Sequence, residues 1–297
     1  MLVRLSVKEY TILAGMISGM IPALFALNQT PLTLGLQLFI QAPLFVVGLA
    51  YGFVCCVGAS CVALGLYGFT TLIMAQVVSH DLIFFFLVKC VPVMAYIWVY
   101  DKGKDSFFER LGYLLLGLPL LCLSWFYLGG GQDILVSLNA YFKTHVDPSF
   151  GTYLKIIDYF PSLIIFSGTL LTCLNGALGH LFDRRVFKRK TFLQSQLVVL
   201  PSGVYAFYAL FALITIVMSH VVGDQAVATL HNFLITASIP FFIAGMAIIH
   251  KMVQKVPQKN ALLTIFYLFM FLFPFIIIII FAVGLFEPWS RLQTKFH

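Results

Sequence analysis

Gln37, Gln41, Lys89, His231 and Asn232 are the side chains of this sequence best placed to do chemistry, because each interrupts an apolar stretch long enough to cross a lipid bilayer. Counting about 1.5 Å of helix rise per residue from the predicted outer end of each stretch puts Gln37 roughly 8 Å deep, Gln41 roughly 14 Å, Lys89 roughly 11 Å and His231 with Asn232 roughly 8 to 9 Å. They form one polar layer in the outer half. Gln37 and Gln41, four residues apart, share a helix face and can converge on one partner. Lys89 is the single formally charged side chain within the apolar stretches, and an ionisable group at that depth costs several kcal/mol unless it meets water, a partner or a ligand. The expectation is an outward-facing pocket, lined by these five residues, that binds a small polar or amphipathic solute. The competing reading bonds Lys89 to helix carbonyls or pairs it with Asp81, and uses the amides as interhelical glue.

Other chemistries lack their residues. No histidine pair has the spacing of a zinc helix, no Ser, His and Asp set can be assembled at one depth, and the stretches contain no acid, so neither an enzyme, a metal site nor a cofactor is expected. All six cysteines, Cys55, Cys56, Cys61, Cys90, Cys122 and Cys173, lie in apolar runs and read as small packing residues, not as disulfides. Asn175 and His180 belong to an inner half, where Asn175 reads as an interhelical hydrogen bond. Gly15, Gly19 and Ala23 recur every four residues, a stripe that lets helix backbones touch; it serves either internal packing or the docking of another membrane protein.

These residues need an all-α scaffold. The 297 residues are 61% hydrophobic and only 10% charged, too few polar groups to cover a water-soluble core, and the apolar runs are continuous, unlike the alternation of a β-barrel. A polytopic transmembrane helical bundle follows, with spans at 10–27, 32–50, 53–78, 82–100, 111–128, 160–182, 197–220, 226–250 and 261–286. That makes nine, or eight if one run is re-entrant or 32–78 holds fewer spans. Prolines enter nearly every span, at 22, 43, 92, 119, 161, 201, 240 and 274. Short interfacial helices are expected on the outer side from Asp133 to His145 and in the tail from Glu287 to His297. The chain reads as one integral membrane domain. Gly129, Gly130 and Gly131 mark its flexible joint, dividing a five-span part (1–128), an outer loop (129–159) and a four-span part (160–297).

Lys and Arg collect on the cytoplasmic side of membrane proteins, which orients the bundle. With the N-terminus cytoplasmic, the inner segments hold Arg4, Lys8, Lys102, Lys104, Arg110, Arg184, Arg185, Lys188, Arg189, Lys190, Lys251, Lys255 and Lys259, against Lys143, Lys155, Arg291 and Lys295 outside. The loop with Arg184, Arg185, Lys188, Arg189 and Lys190 mainly sets this orientation and also attracts anionic headgroups. The net charge of +7 is therefore topological, and no nucleic-acid partner is expected. Arg4 and Lys8 ahead of an apolar run from Tyr10 resemble a signal peptide, but small cleavage residues are missing, so a retained first span is expected in the plasma (inner) membrane.

The stretch PLTLGLQLFIQAPLFVVGLAYG from Pro31 to Gly52, LNGALGHLFDRR from Leu174 to Arg185, and the ending with IPFFIAGMAIIH and GLFEPWSRLQTKF together resemble the YybS-like family of bacterial multi-pass membrane proteins. The resemblance runs through nearly the whole chain on loose hydrophobic patterns with scattered Gly, Pro, Asn and Trp, and it assigns no functional residues. That family is similar to the substrate-binding S components of energy-coupling-factor transporters and to MreD-like proteins. The resemblance implies a compact helical bundle with an outward-opening solute pocket and a small-residue face for a transmembrane partner. S components usually have six spans, so the C-terminal part lies outside that analogy. Two functions lead: a solute-binding, S-component-like transport subunit, or a non-enzymatic organiser of membrane or envelope proteins; an intramembrane enzyme on lipid substrates is a remote third.

Overall fold

A computed structural model describes residues 6–27, 36–73, 85–102, 107–128, 136, 140, 144, 155–186, 200–221, 223–254, 256–273 and 275–290, and among them all regular structure is helical. In chain order the elements are α1 (Val7–Leu27), α2 (Ala42–Tyr51), α3 (Phe53–Ile73), a π-turn (Phe86–Cys90), α4 (Val91–Asp101), α5 (Phe107–Leu128), a 3₁₀ turn (Lys155–Tyr159), α6 (Phe160–Val186), α7 (Ser202–Ser219), α8 (Asp224–Ala237), α9 (Ile239–Gln254), α10 (Lys259–Leu272), α11 (Ile276–Leu285) and α12 (Glu287–Ser290). Five stretches are long and apolar enough to cross a membrane: Phe53–Ile73, Arg110–Leu128, Ile157–Phe182, Ser202–Ser219 and Ala226–Gln254.

Several of the nine expected spans are not single helices. Within the run 32–50, Leu36 and Gln37 are helical, a turn runs through Leu38–Gln41, and α2 from Ala42 gives roughly 15 Å of helix. The run 82–100 enters through the π-turn before α4. The run 226–250 remains one membrane-length stretch with a turn at Ser238 between α8 and α9, whereas the run 261–286 divides into α10 and α11. Proline explains most of the punctuation. Pro43, Pro92 and Pro240 each occupy the second position of a new helix, where the missing N–H has no acceptor inside that helix. Pro22 and Pro119 remain inside α1 and α5.

Of the expected outer helix from Asp133 to His145, only Val136, Ala140 and Thr144 are described. All three are helical and exposed, and the Thr144 hydroxyl donates to the Ala140 carbonyl at 3.0 Å. The tail helix is described only as α12; residues 291–297, with Arg291 and Lys295, lie outside the described residues, as do Gly129, Gly130, Gly131 and Asp81.

The chain forms two compact units, Met1–Phe107 with Ser167–Gln194, and Phe108–Phe166 with Ser195–His297. This grouping runs elsewhere than the glycine joint: α5 belongs to the second unit, and α6 gives its first turns to the second unit and its remainder to the first. In the first unit α1 lies along α3. An added Cβ at Gly15 would stand 2.5 Å from the Ala59 carbonyl oxygen, and one at Gly19 would stand 2.7 Å from that of Ala63. Leu44, Phe45, Val93 and Ile97 fill the centre of that unit. In the second unit, α9 and α11 touch backbone to backbone at Gly245 and Gly284, and Leu116, Leu200, Val204, Ala237, Phe241 and Ala244 form the core beside them.

Candidate functional site

The polar residues of the first unit gather where α2 begins. Pro92 has no N–H to give the carbonyl four residues back, that of Val88, and the π-turn further loosens this backbone. Gln41, 3% exposed, answers it: its Nε2 donates to the Val88 and Lys89 carbonyls at 3.2 and 3.1 Å. One turn away, Asn175 Nδ2 donates to the Leu38 carbonyl and to Leu171 within its own helix, both at 2.8 Å, the interhelical bond expected from its depth. Asn175 Oδ1 has no partner among the described residues. The segment between Leu38 and Gln41 is thus pinned by two side-chain amides from opposite directions. Gln37 is half-buried on the same segment.

Lys89 stands in the π-turn, four and eight residues before Val93 and Ile97, both completely buried in the core. By helical spacing it continues that inward stripe, and it lies about half a turn from Trp98, nine residues on, which is 47% exposed. Its neighbours are committed to the unit as well: Val88 approaches Gly168 of α6, and Cys90 is completely buried. The Lys89 side chain is itself half-buried, and among the described residues no hydrogen bond or ion pair reaches its ammonium. At the other end of α4, Lys102 lies over the Trp98 ring, 5.7 Å from its centroid.

His180 is buried deeper along α6, where its Nε2 and the Tyr96 hydroxyl lie 2.8 Å apart and Tyr100 leans against its ring. Gly176 and Gly179 of the same helix face let Phe45 of α2 come close. Asp101, at the end of α4, accepts a hydrogen bond at 2.7 Å from the Phe53 N–H and so caps α3 from another helix. Sequence reading left this residue out, since a cap supplied from 48 positions away leaves no local signature.

His231 and Asn232 belong to the second unit. Asn232 is completely buried; its Nδ2 has the Tyr127 hydroxyl at 2.9 Å and the carbonyls of Asp158 and Ala228 at 2.6 and 3.0 Å. Its Oδ1 accepts the Ser162 N–H at 3.1 Å, one of the orphan donors in the first turn of α6. Two amide hydrogens facing three acceptors leave this group no donor for a ligand. Asn232 is a clamp that fastens α8 to α5, the 3₁₀ turn and α6. His231 beside it stacks on Tyr159, with ring centroids 6.3 Å apart. Tyr127 and Ser162, the partners of this clamp, carried no signal in the sequence that set them apart from other membrane Tyr and Ser.

Gly15 and Gly19 are filled by α3 within the chain; nothing is described of the Ala23 side chain. The α6 helix continues through Arg184 and Arg185 to Val186, whereas Lys188, Arg189 and Lys190 lie outside the described residues. All six cysteines are free, with Cys56, Cys90 and Cys122 buried. Among the described residues no His, Cys, Asp and Glu are grouped to hold a metal ion.

Residues 147–287 match the family model described as a predicted membrane protein (DUF2232). No curated protein and no solved structure matches the chain. Together with the span-length apolar helices, the family match makes this a membrane protein with several helices able to cross a bilayer. The matched region holds α6 to α11, including the Asn232 clamp; Gln37, Gln41 and Lys89 precede it.

Proposed function

We propose that this protein is a non-catalytic, multi-pass plasma-membrane protein that binds a small polar or amphipathic solute, acting as a substrate-binding subunit of transport in the manner of an S component. Its N-terminus is cytoplasmic and its binding residues face the outer side. The observation that carries this reading is Lys89: the one charge in the apolar stretches stands in the π-turn, on the stripe that Val93 and Ile97 continue, and its carbonyl is bonded by Gln41 of the segment that Asn175 also holds. A bundle that needed no ligand would gain by a leucine there, because an ammonium buried in hydrocarbon costs several kcal/mol. Gln41 and Asn232 enter this reading as residues that hold the framework, and Lys89 with Gln37 as those that meet the solute.

Native mass spectrometry of the full chain released from mild detergent tests it. A retained small molecule, lost in Lys89→Met while the fold persists, is the expected result. A retained protein chain with no small molecule would favour the organiser of membrane proteins and overturn the solute reading.

A further inference from the structure

We infer that the Lys89 ammonium is the receptor for an anionic group, a carboxylate or a phosphate, carried by the molecule bound in the first unit. The inference rests on the solute-binding reading above and adds the charge of the ligand. Three features of the structure lead to it. First, Lys89 shares its stripe with Val93 and Ile97 and stands about half a turn from exposed Trp98, so the backbone directs it inward rather than to lipid. Second, the side chain that reaches this backbone, donating to the Val88 and Lys89 carbonyls, is Gln41. Gln41 is an amide and supplies no negative charge, so it secures the backbone without neutralising the ammonium. Third, the residue sits in a π-turn, a rare local geometry that is frequent at functional sites.

Among the described residues no carboxylate forms an ion pair with Lys89. An ammonium in a low-dielectric bundle keeps its charge only beside a counter-charge, and as a point charge with three N–H donors it suits the accepting oxygens of a carboxylate or phosphate. The anion has two possible sources with one chemistry: a soluble acid, or the phosphate of a lipid headgroup reached from the outer leaflet.

The experiment uses the full chain in dodecyl maltoside, a detergent without phosphate, and reads the thermal unfolding midpoint. One arm titrates inorganic phosphate and succinate; the other adds phosphatidylglycerol. The expected result is a rise on the order of 5 °C at saturation in one arm. The rise should be kept in Lys89→Arg and lost in Lys89→Met, and the responding arm names the source. No rise in either arm, or an equal rise in Lys89→Met, overturns the inference. So does a double-mutant cycle in which Asp81→Asn lowers the midpoint as much as Lys89→Met and adds nothing to it, since Asp81 is then the counter-charge. A neutral or cationic molecule retained in native mass spectrometry sinks the anion while sparing the solute reading, and a response to phosphatidylglycerol alone does the reverse.

Discussion

Gln41 gives the Val88 carbonyl the donor that Pro92 lacks, reaching it at 3.2 Å from the first residue before α2. A proline in a membrane helix leaves a carbonyl that water cannot solvate, and here the remedy comes from a different helix. Gln41→Leu should therefore lower stability by about 1–3 kcal/mol, the cost of a buried acceptor left unpaired. In a Pro92→Ala background residue 92 has its own N–H for Val88, so the same Gln41→Leu change should cost less than half as much. Unfolding of the four proteins of this cycle in detergent measures the coupling, and equal penalties in both backgrounds would show that Gln41 stabilises by packing alone.

The Asn232 clamp predicts a contrast between neighbours. Asn232→Leu strands the Ser162 N–H and the Asp158 carbonyl and should cost about 1–3 kcal/mol, whereas His231→Leu removes one aromatic contact and should cost about 1 kcal/mol or less. Amide exchange adds a local readout. The Ser162 N–H should exchange faster in Asn232→Leu and remain unchanged in His231→Leu; unchanged protection in both would remove Asn232 from the cap of α6.

The membrane class and the helical content were legible in the sequence, because lipid leaves the backbone little choice. What Gln41 and Asn232 do was not. A polar residue at a given depth can serve a ligand or a neighbouring backbone equally well, and the choice depends on which carbonyls lie opposite, information carried by residues 47 to 137 positions away. Helix starts inside the apolar runs were hidden for a related reason. Hydropathy does not change where Pro43 and Pro92 sit in the first turn of α2 and α4, so the turn before Ala42 and the π-turn before Val91 leave no mark in it.

Glycines that look alike in the sequence should behave oppositely. A methyl at Gly15 meets the Ala59 carbonyl oxygen at 2.5 Å and Val62 Cβ at 2.6 Å, whereas one at Gly65 of α3 meets nothing within 4 Å. Gly15→Ala should then destabilise by about 1–3 kcal/mol through overpacking, while Gly65→Ala should stabilise by up to about 1 kcal/mol through helix propensity. Thermal unfolding of the two variants decides the matter. A tolerated Gly15→Ala would mean that α1 and α3 are farther apart than the structure places them.

The start of α1 should respond to acid. Ser6 and Glu9 cap it reciprocally: the Ser6 N–H donates to the Glu9 carboxylate, and the Glu9 N–H donates to the Ser6 hydroxyl at 3.3 Å. The bond from the Ser6 N–H, and then that involving its hydroxyl, hold the Glu9 carboxyl below its ordinary value of 4.5. A depressed folded value means the cap stabilises fully above about pH 4.5 and is lost as pH falls through the lower folded value. An NMR titration of the Glu9 carboxyl should show this depression, reduced but not abolished in Ser6→Ala because the backbone donor remains. A titration at 4.5 in the unaltered protein would mean the cap is open.

Asp101 and Gly52 make a joint between α2 and α3 that tolerates little change. Gly52 ends α2 with φ near +90°, a region costly for any residue with a Cβ, and the Phe53 N–H that follows is held by the Asp101 carboxylate at 2.7 Å. Gly52→Ala should cost about 1–2 kcal/mol from backbone strain, with the added methyl also 3.3 Å from Asp101 Oδ2. Asp101→Ala should cost about 0.5–2 kcal/mol through the lost cap, and Asp101→Asn less, because an amide oxygen still accepts the bond while the attraction to the helix dipole is lost. The order Asp101→Ala worse than Asp101→Asn, read from unfolding midpoints, separates a capping role from a purely electrostatic one: if charge alone mattered, the two variants would be equally destabilised.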